Sequence, residues 1–142
     1  TGVKNAMQLA INEAGITPQE VDYINTHGTA TPIGDVAEVK AIQQLFGEHA
    51  YALNITSSKS MLGHTMGAAG AVEAIISILS MQQGMVTPTI NHEQGDEDPN
   101  IDYRLNFTFN QAQQRNIHYA MSNNYGFGGQ NACLLFKNPN IQ

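Results

Sequence analysis

The sequence has few of the residues that mark several classes of protein. It contains one cysteine, six basic residues against twelve acidic ones, and no uninterrupted apolar run of membrane-spanning length. A single cysteine excludes an internal disulfide and agrees with a reducing compartment, so we expect a cytoplasmic protein. The net charge of −6 argues against nucleic-acid binding, which requires a basic surface. No signal peptide is visible, and we expect no membrane insertion.

The length of 142 residues, 42% of them hydrophobic, suits one domain with its own core. No repeat period and no low-complexity segment is present. The first residue is Thr1 rather than methionine, and a helical pattern begins at once. We therefore expect this chain to be a piece of a longer protein.

Apolar spacing along the chain predicts alternating helices and strands. Gly15, Gly47 and Gly84 are natural helix ends, and the second helix has two possible starts, at Thr31 or at Asp35. Residues 91–100 read as an acidic surface loop. The predicted order is helix 3–14, capping-box turn 17–20, strand 21–25, a helix through 36–46, strand 52–56, helix 66–83, and strands 116–122 and 132–137. This order is typical of an α/β layer fold.

Residues 57–70 are the centre of the sequence. Lys59 and His64 are the only ionisable groups in this segment, and the helix after His64 is apolar on nearly every side, which predicts burial. A helix start and burial both disfavour a charged imidazole, so we expect a lowered pKa for His64 and a neutral ring that donates an N–H. The alternative is a core histidine whose hydrogen bonds are merely satisfied.

Three loops with unusual chemistry follow predicted strands. His27 follows the first strand, Lys59 and His64 follow the second, and a glycine-rich turn, residues 123–131, joins the last two. Ligands of α/β sheets bind beyond the carboxyl ends of strands, and glycine permits close backbone approach to a ligand. We expect these loops to form one site.

Three segments carry a family resemblance: THGTATPIGD, SSKSMLGHTMGAAGAVE and SNNYGFGGQNA. Together they resemble the C-terminal portion of a β-ketoacyl-[acyl-carrier-protein] synthase, a condensing enzyme of the Cys-His-His type I/II class. The resemblance covers residues 1–137, and ketosynthase domains of polyketide synthases share the motifs. It implies the C-terminal half of a thiolase-like fold, a layered α/β/α arrangement with a mixed sheet and a buried central helix.

The resemblance also implies the reaction and its participants. The reaction is a decarboxylative Claisen condensation of malonyl-carrier-protein with an acyl group held on a cysteine. The implied partners are acyl carrier protein, the chain's own N-terminal half and a second copy in a homodimer. No metal and no cofactor are implied beyond the phosphopantetheine that carries the substrates. This fragment alone is expected to be inactive, because the nucleophilic cysteine belongs to the absent half.

The catalytic roles implied by the family fall on His27, His64 and Lys59. The two histidines match the donors to the malonyl thioester oxygen, where negative charge develops. Lys59 matches a lysine that anchors its loop through a buried ion pair with Glu73, since a carboxylate on an apolar helix requires a partner.

Other positions match binding and supporting residues of the family. Thr29 and Thr31 match threonines that bind the pantetheine arm, although turn and cap roles explain them equally. Asp35 and Glu38 match acidic residues that support the histidines and nearby water, and a solvated helix face is the alternative.

The glycine turn matches the gate of the family. Phe127 corresponds to the gating phenylalanine, whose backbone N–H helps form the oxyanion hole, and Gly126 and Gly128 allow that N–H to point into the site. Asn123, Asn124 and Tyr125 depart from the commoner pattern, in which a smaller residue and Phe stand before this turn.

Four residues are assigned no catalytic role. Cys133 lies in an apolar strand, where we expect it to pack as a small hydrophobe rather than act as the nucleophile. His49, His92 and His118 have no motif around them and are expected at the surface.

Two alternatives remain beside a synthase of fatty acid synthesis or a polyketide or polyene ketosynthase. One is a non-catalytic partner subunit similar to a chain-length factor, which the retained His27, Lys59 and His64 disfavour. The other is a thiolase-fold enzyme that uses coenzyme A, which the threonine loop and the paired histidines disfavour. A cysteine at the upstream elbow would indicate a synthase, and a glutamine there a chain-length factor.

Overall fold

The computed structural model describes residues 2–141, and in them helices alternate with strands of a mixed sheet. The α-helices are α1 (Gly2–Ala14), α2 (Pro32–Phe46), α3 (Lys59–Leu62) and α4 (Ala69–Gln83), and the strands are β1 (Tyr23–Asn25), β2 (Asn54–Thr56), β3 (Met85–Val86), β4 (Gln113–Gln114), β5 (Tyr119–Gly126) and β6 (Gln130–Lys137). Short 3-10 turns lie at Pro18–Glu20, Gly47–Ala52 and Met66–Ala68.

The main sheet has the strand order β2-β1-β5-β6. β1 is parallel to both β2 and β5, and β6 returns antiparallel to β5. β3 and β4 form a separate antiparallel pair that the sequence did not indicate. Because β1, β2 and β5 are parallel, their carboxyl ends lie at one edge of the sheet, where α/β folds place ligand sites.

Most predicted boundaries agree with the structure. α1 ends before Gly15, and α4 ends before Gly84, whose φ of +62° is the left-handed cap geometry that glycine adopts without strain. α2 begins at Pro32 with Thr31 at its N-cap position, which decides between the two predicted starts. Pro is favoured at the first helical position because its missing N–H is not needed there.

The glycine turn is shorter than predicted. β5 continues through Gly126 and pairs with β6 in unbroken register, from Tyr119 opposite Lys137 to Gly126 opposite Gln130. Residues 123–126 are therefore strand, and the connection needs only residues 127–129. The cross-strand pairing extends the strands because both continue to satisfy each other's backbone groups.

The main core lies between α1, α2 and the sheet. Its fully buried side chains include Met7, Ile11, Ile24, Ile42 and Met121. A smaller cluster around Tyr23 and Met81 packs on the opposite side, under α4. The two clusters pack on the two faces of the sheet, and the loops at the carboxyl ends of the strands extend from this packed base.

Helix α4 is not buried on every side, contrary to the sequence-based expectation. Its buried face includes Glu73 and Ser77, whereas Ile75 and Leu79 are 57% and 45% exposed. Ile75 and Leu79 have no cover among residues 2–141, because they lie on the side of the helix away from the buried Glu73, Ser77 and Met81. No helix in the described part of the chain combines the length and the hydropathy that crossing a membrane requires.

Candidate active site

The loops after β1, β2 and β5 lie together at one edge of the sheet. The imidazole rings of His27 and His64 are 5.7 Å apart between centroids and nearly perpendicular. The ring of Tyr125, near the end of β5, is 5.3 Å from His27. Residues that are far apart in sequence are thus held within a few ångströms by three parallel strands.

Backbone amides orient both histidines in the same way. The Tyr125 N–H donates to Nδ1 of His27 at 3.2 Å, and the Met66 N–H donates to Nδ1 of His64 at 3.2 Å. A neutral imidazole has one donor and one acceptor nitrogen. Because Nδ1 is the acceptor in both rings, the proton of each neutral ring resides on Nε2, so both rings present an N–H donor.

Burial and a nearby cation act on His27. Desolvation lowers the pKa of the His27 imidazole below its ordinary value, and the positive charge of Lys59 lowers it further. The side chain of Asn124 acts in the opposite direction, more weakly than burial. His27 is therefore held as the neutral donor.

The expected environment of His64 is wrong in one respect. This residue is exposed and precedes the 3-10 turn that leads into α4, rather than opening that helix. Neither burial nor a position at the first turn of α4 acts on it within residues 2–141. The orientation of the His64 ring rests here on the hydrogen bond that its Nδ1 accepts from the Met66 N–H.

Lys59 and Glu73 form a buried ion pair, as the sequence predicted. Their side chains are 6% and 3% exposed. The carboxylate uses Oε1 for Lys59 and accepts a hydrogen bond on Oε2 from Asn124 Nδ2 at 2.9 Å. The pair ties the lysine loop to α4 and β5, and the contact with Glu73 engages the Lys59 amino group, so it is not free to act as a base.

Glu38 is a buried structural carboxylate rather than part of a solvated helix face. It accepts hydrogen bonds from the backbone N–H groups of His27 and Gly28, both at 3.1 Å, and from Asn123 Nδ2 at 3.2 Å. Burial raises the pKa of this carboxyl, and those donors act against the rise. The side chain thus holds the turn that presents His27.

The two threonines belong to the segment that joins the His27 turn to α2, and Asp35 lies in the first turn of that helix. Asp35 is half-buried, and burial raises the pKa of its carboxyl against the backbone amides of residues 29–31, which lower it. Thr29 is half-buried and Thr31 is exposed at the start of α2. Thr29 lines the cavity beside the site, whereas Thr31 is the N-cap residue of α2.

Gly28 allows the histidine loop and the lysine loop to touch. Ser57 Oγ donates to the Gly28 carbonyl at 2.7 Å. A Cβ at position 28 would lie 2.7 Å from Cβ of Ser57 and from Oγ1 of Thr26, and the φ of +36° is itself unfavourable for a side chain. The close approach therefore requires glycine.

The turn of the β5–β6 hairpin projects into solvent. Phe127 is 98% exposed, and Gly128 has a φ of +82° that glycine tolerates. Gly126 is the last residue of β5. These three residues follow Tyr125 in the chain. The ring of Phe127 does not contact the ring of His27 or of His64.

Cys133 and the three remaining histidines lie away from the rings of His27 and His64. Burial, and then the charge of Glu38, raise the pKa of the Cys133 thiol to about 12, which is unsuited to a nucleophile at neutral pH. His118 is exposed, as expected. His49 and His92 are half-buried, which corrects the surface assignment: His49 Nε2 bonds the Val21 carbonyl, and His92 stacks on Phe109 at 3.8 Å.

A cavity of about 490 Å³ adjoins the site. It is lined by polar groups that include Lys59, His64 and Thr29, and by aromatic rings that include Tyr103 and Phe109. A concave site with an apolar wall and a few convergent polar groups is typical of small-molecule binding. The aromatic wall comes from a segment to which the sequence assigned no function.

Sequence reasoning missed the organising role of the last residues of β5. Asn123, Asn124 and Tyr125 contact Glu38, Glu73 and His27 respectively. The only signal was their departure from the commoner pattern. Their contacts depend on strand pairing across the sheet, which no local motif encodes.

Comparisons with known proteins agree with this arrangement. Residues 1–93 match the family model described as "Beta-ketoacyl synthase, C-terminal domain". The chain is 52% identical over 136 residues to the 3-oxoacyl-[acyl-carrier-protein] synthase 2 of Staphylococcus aureus (strain COL), a match that covers 96% of this chain and 32% of that protein. The chain thus spans about a third of the length of this relative.

Solved structures extend the likeness to the fold. A beta-ketoacyl synthase from Burkholderia phymatum STM815 superposes with a TM-score of 0.86 at 39% identity, over 95% of this chain and 32% of that one. A type II polyketide ketosynthase, AntDE, in complex with its acyl-carrier protein AntF, gives 0.89 at 32% identity, with the same coverage of each chain. The α/β architecture is therefore that of the thiolase-like ketosynthases, and the chain belongs to the beta-ketoacyl synthase family through its C-terminal domain.

Proposed function

We propose that this chain is the C-terminal part of a 3-oxoacyl-[acyl-carrier-protein] synthase of fatty acid synthesis. The enzyme is an acyltransferase that forms a carbon–carbon bond. An acyl group is held on a cysteine of the upstream half, malonyl-carrier-protein loses CO₂, and the resulting carbanion attacks the acyl thioester. The thiolate is then released and the product remains on the carrier. The curated name of the Staphylococcus aureus relative supports this substrate class.

The paired Nε2–H donors of His27 and His64 are the observation on which this proposal rests. Loss of CO₂ converts the malonyl thioester into an enolate, whose negative charge develops on the thioester oxygen. Two preorganised donors directed at one oxygen stabilise that charge without needing to reorient during the reaction. The separation of 5.7 Å between the two ring centroids supports a shared action of both donors on one oxygen atom.

Lys59 supports this step from behind the histidines. Its charge is held by Glu73, and it disfavours protonation of His27. A protonated His27 could also donate from Nε2, but its Nδ1 would then carry a proton that faces the Tyr125 N–H. The hydrogen bond between them would be lost, because both groups would be donors. The buried pair therefore keeps the histidine in the orientation that the decarboxylation step uses.

The other proposed roles concern substrate delivery and the acyl intermediate. Thr29 and Thr31 bind the pantetheine arm of the carrier, and the Phe127 backbone N–H belongs to the oxyanion hole, with Gly126 and Gly128 giving it freedom to turn inward. A likeness to a ketosynthase solved with its acyl-carrier protein supports the carrier as partner. We further propose a cytoplasmic homodimer in which the upstream half completes each site.

A chain-length-factor-like subunit is the competing function. Such a partner keeps the fold without condensing, and a ketosynthase of a polyketide or polyene pathway is a second possibility within the same chemistry. Both histidines and the Lys59 and Glu73 pair are in place here, which favours a catalytic subunit.

The complete enzyme decides between them. Incubated with acyl-carrier-protein and malonyl-carrier-protein, it should release CO₂ and yield a 3-oxoacyl-carrier-protein two carbons longer, in equal amounts. A protein that binds the carrier but produces neither compound, and that has glutamine at the upstream elbow, would instead be the non-catalytic subunit.

A further inference from the structure

The end of β5 distributes its side chains to two opposite sides of the sheet. Successive residues of a strand point to opposite faces. Asn123 and Tyr125 share the face that meets α2 and Glu38, and Asn124 takes the other face, where it donates to Glu73. One short strand segment therefore contacts both buried carboxylates of the site.

The hydroxyl of Tyr125 has no assigned role in the site described above. Its oxygen is enclosed, and it has no hydrogen-bond partner among the described residues. Burial raises the pKa of this phenol well above its usual range, and the negative charge of Glu38 raises it further. Because Tyr125 shares its sheet face with Asn123, which donates to Glu38, the hydroxyl lies on the Glu38 side of the sheet.

Among residues 2–141, the groups that face Glu38 include no cation. They are the backbone amides of His27 and Gly28 from the loop after β1, Asn123 and Tyr125 from β5, and the thiol of Cys133 from β6. No ion pair to Glu38 is recorded within residues 2–141. A buried carboxylate without a cation depends on hydrogen-bond donors to remain ionised, and three donors are already in place.

We propose that the Tyr125 hydroxyl supplies a fourth donor to Glu38, directly or across one water molecule, and is thereby a positioning group for His27. Glu38 binds the two backbone amides of the turn that carries His27. A group that fixes this carboxylate therefore also fixes the turn, and with it the direction of the ring Nε2–H of His27. Phenylalanine at this position would lack the hydroxyl and could not make this contact. The test by pH profile of kcat rests on the proposed condensing function, whereas the test by thermal unfolding does not.

The decisive variant is Tyr125→Phe in the complete enzyme, since it keeps the ring and the backbone N–H that meets His27. Without the fourth donor, ionised Glu38 is less favourable, so the acid limb of kcat against pH should move to higher pH. A shift of about 0.5–1 unit corresponds to the loss of one hydrogen bond. We expect a kcat several-fold lower near the acid limb, with KM for malonyl-carrier-protein unchanged.

Two matched variants separate positioning from general stability. Tyr51→Phe removes a hydroxyl that bonds Asp102 at 2.8 Å, away from the histidines, and should leave the pH profile unchanged. In a Glu38→Gln background, which has no charge to hold, Tyr125→Phe should cause no further shift of the acid limb.

Thermal unfolding provides the test that needs no activity. The destabilisation caused by Tyr125→Phe should be larger at pH 8 than at pH 5, because the hydroxyl stabilises the ionised form of Glu38. A loss of equal size at both pH values overturns the proposal, as does a change of acyl-chain preference with an unshifted pH profile, which would make the hydroxyl a wall of the acyl pocket. An inactive wild-type enzyme overturns the proposed function alone, and the unfolding comparison still decides this inference.

Discussion

Asn124 donates from Nδ2 to Oε2 of Glu73 at 2.9 Å, on the carboxylate oxygen opposite the one that binds Lys59. The carboxylate is therefore held from two sides, by a cation in the lysine loop and by a neutral amide on β5. This arrangement makes Glu73 the point at which loop, helix and sheet are joined.

Removal of Glu73 should be costly. Glu73→Ala in the complete enzyme leaves the Lys59 ammonium buried without a partner and should lower the free energy of unfolding by about 3–5 kcal/mol. Replacing both Lys59 and Glu73 by apolar residues should cost less than the single change. The measurement is denaturant unfolding of the wild type and both variants, and an unaltered midpoint for Glu73→Ala would mean that the pair contributes nothing.

Removal of the Glu38 side chain should loosen the His27 turn. Glu38→Ala strips the backbone amides of His27 and Gly28 of their acceptor and should cost about 3 kcal/mol, the scale of hydrogen bonds to a charged group. Glu38→Gln retains one carbonyl oxygen and should cost less. Hydrogen exchange of the two amides checks this directly: they should exchange faster in the alanine variant, and equal protection in both variants would contradict the assignment.

The two halves of the reaction should separate in histidine variants. His64→Ala in the complete enzyme should still accept an acyl group on the upstream cysteine, yet release CO₂ about 10²–10³-fold more slowly, because one preorganised donor is lost. Asparagine at position 64 or 27 retains an N–H and should keep more activity than alanine. Radiolabelled acyl transfer and CO₂ release are measured side by side, and loss of acylation with intact decarboxylation would reverse the assignment.

The ionisation of His27 should follow from its surroundings. Its pKa is lowered by burial and by Lys59, so the neutral ring should persist below the reference value of ~6.5. Because the folded-state pKa is the depressed one, the stability associated with His27 is present above ~6.5 and is lost as the pH falls through the folded value. NMR titration of the His27 ring in the complete enzyme tests this, and a midpoint at or above the reference value would contradict it.

The isolated chain should reveal the uncovered face of α4. Residues 1–142 expressed alone should bind hydrophobic dyes or aggregate, since Ile75 and Leu79 are exposed. Ile75→Ser with Leu79→Ser should reduce dye binding by the fragment but destabilise the complete enzyme. A monomeric fragment that melts cooperatively and binds no dye would show that the helix needs no further cover.

Local patterns were enough for most elements but not for the site. Glycines at positions 15 and 84 and the proline at 32 determine helix boundaries through backbone geometry alone, so the sequence predicted them or left one close alternative. The extension of β5 through Gly126 depends on pairing with β6, a long-range interaction that overrode the loop-like composition of this segment.

The histidines show the same division. Motifs were enough to propose both histidines as site residues. The orientation of their rings depends on the backbone amides of Met66 and Tyr125, which no motif encodes, and the exposure of His64 within this chain was not predicted either. The burial of Glu38 was also undecidable from sequence, since an acidic residue on a helix fits solvent and a buried turn equally well. Only the packing of α2 against the His27 loop distinguishes them.

Gly28 has a consequence for how this site can change. The Gly28 carbonyl accepts a hydrogen bond from Ser57, which joins the two loops. At this close approach, the space beside Cα of Gly28 holds only a hydrogen atom. A methyl group is the smallest step that mutation offers, and it already exceeds the available space. Position 28 is therefore closed to gradual adjustment, and any retuning of the separation between the two histidines has to come from the strands and helices behind the loops.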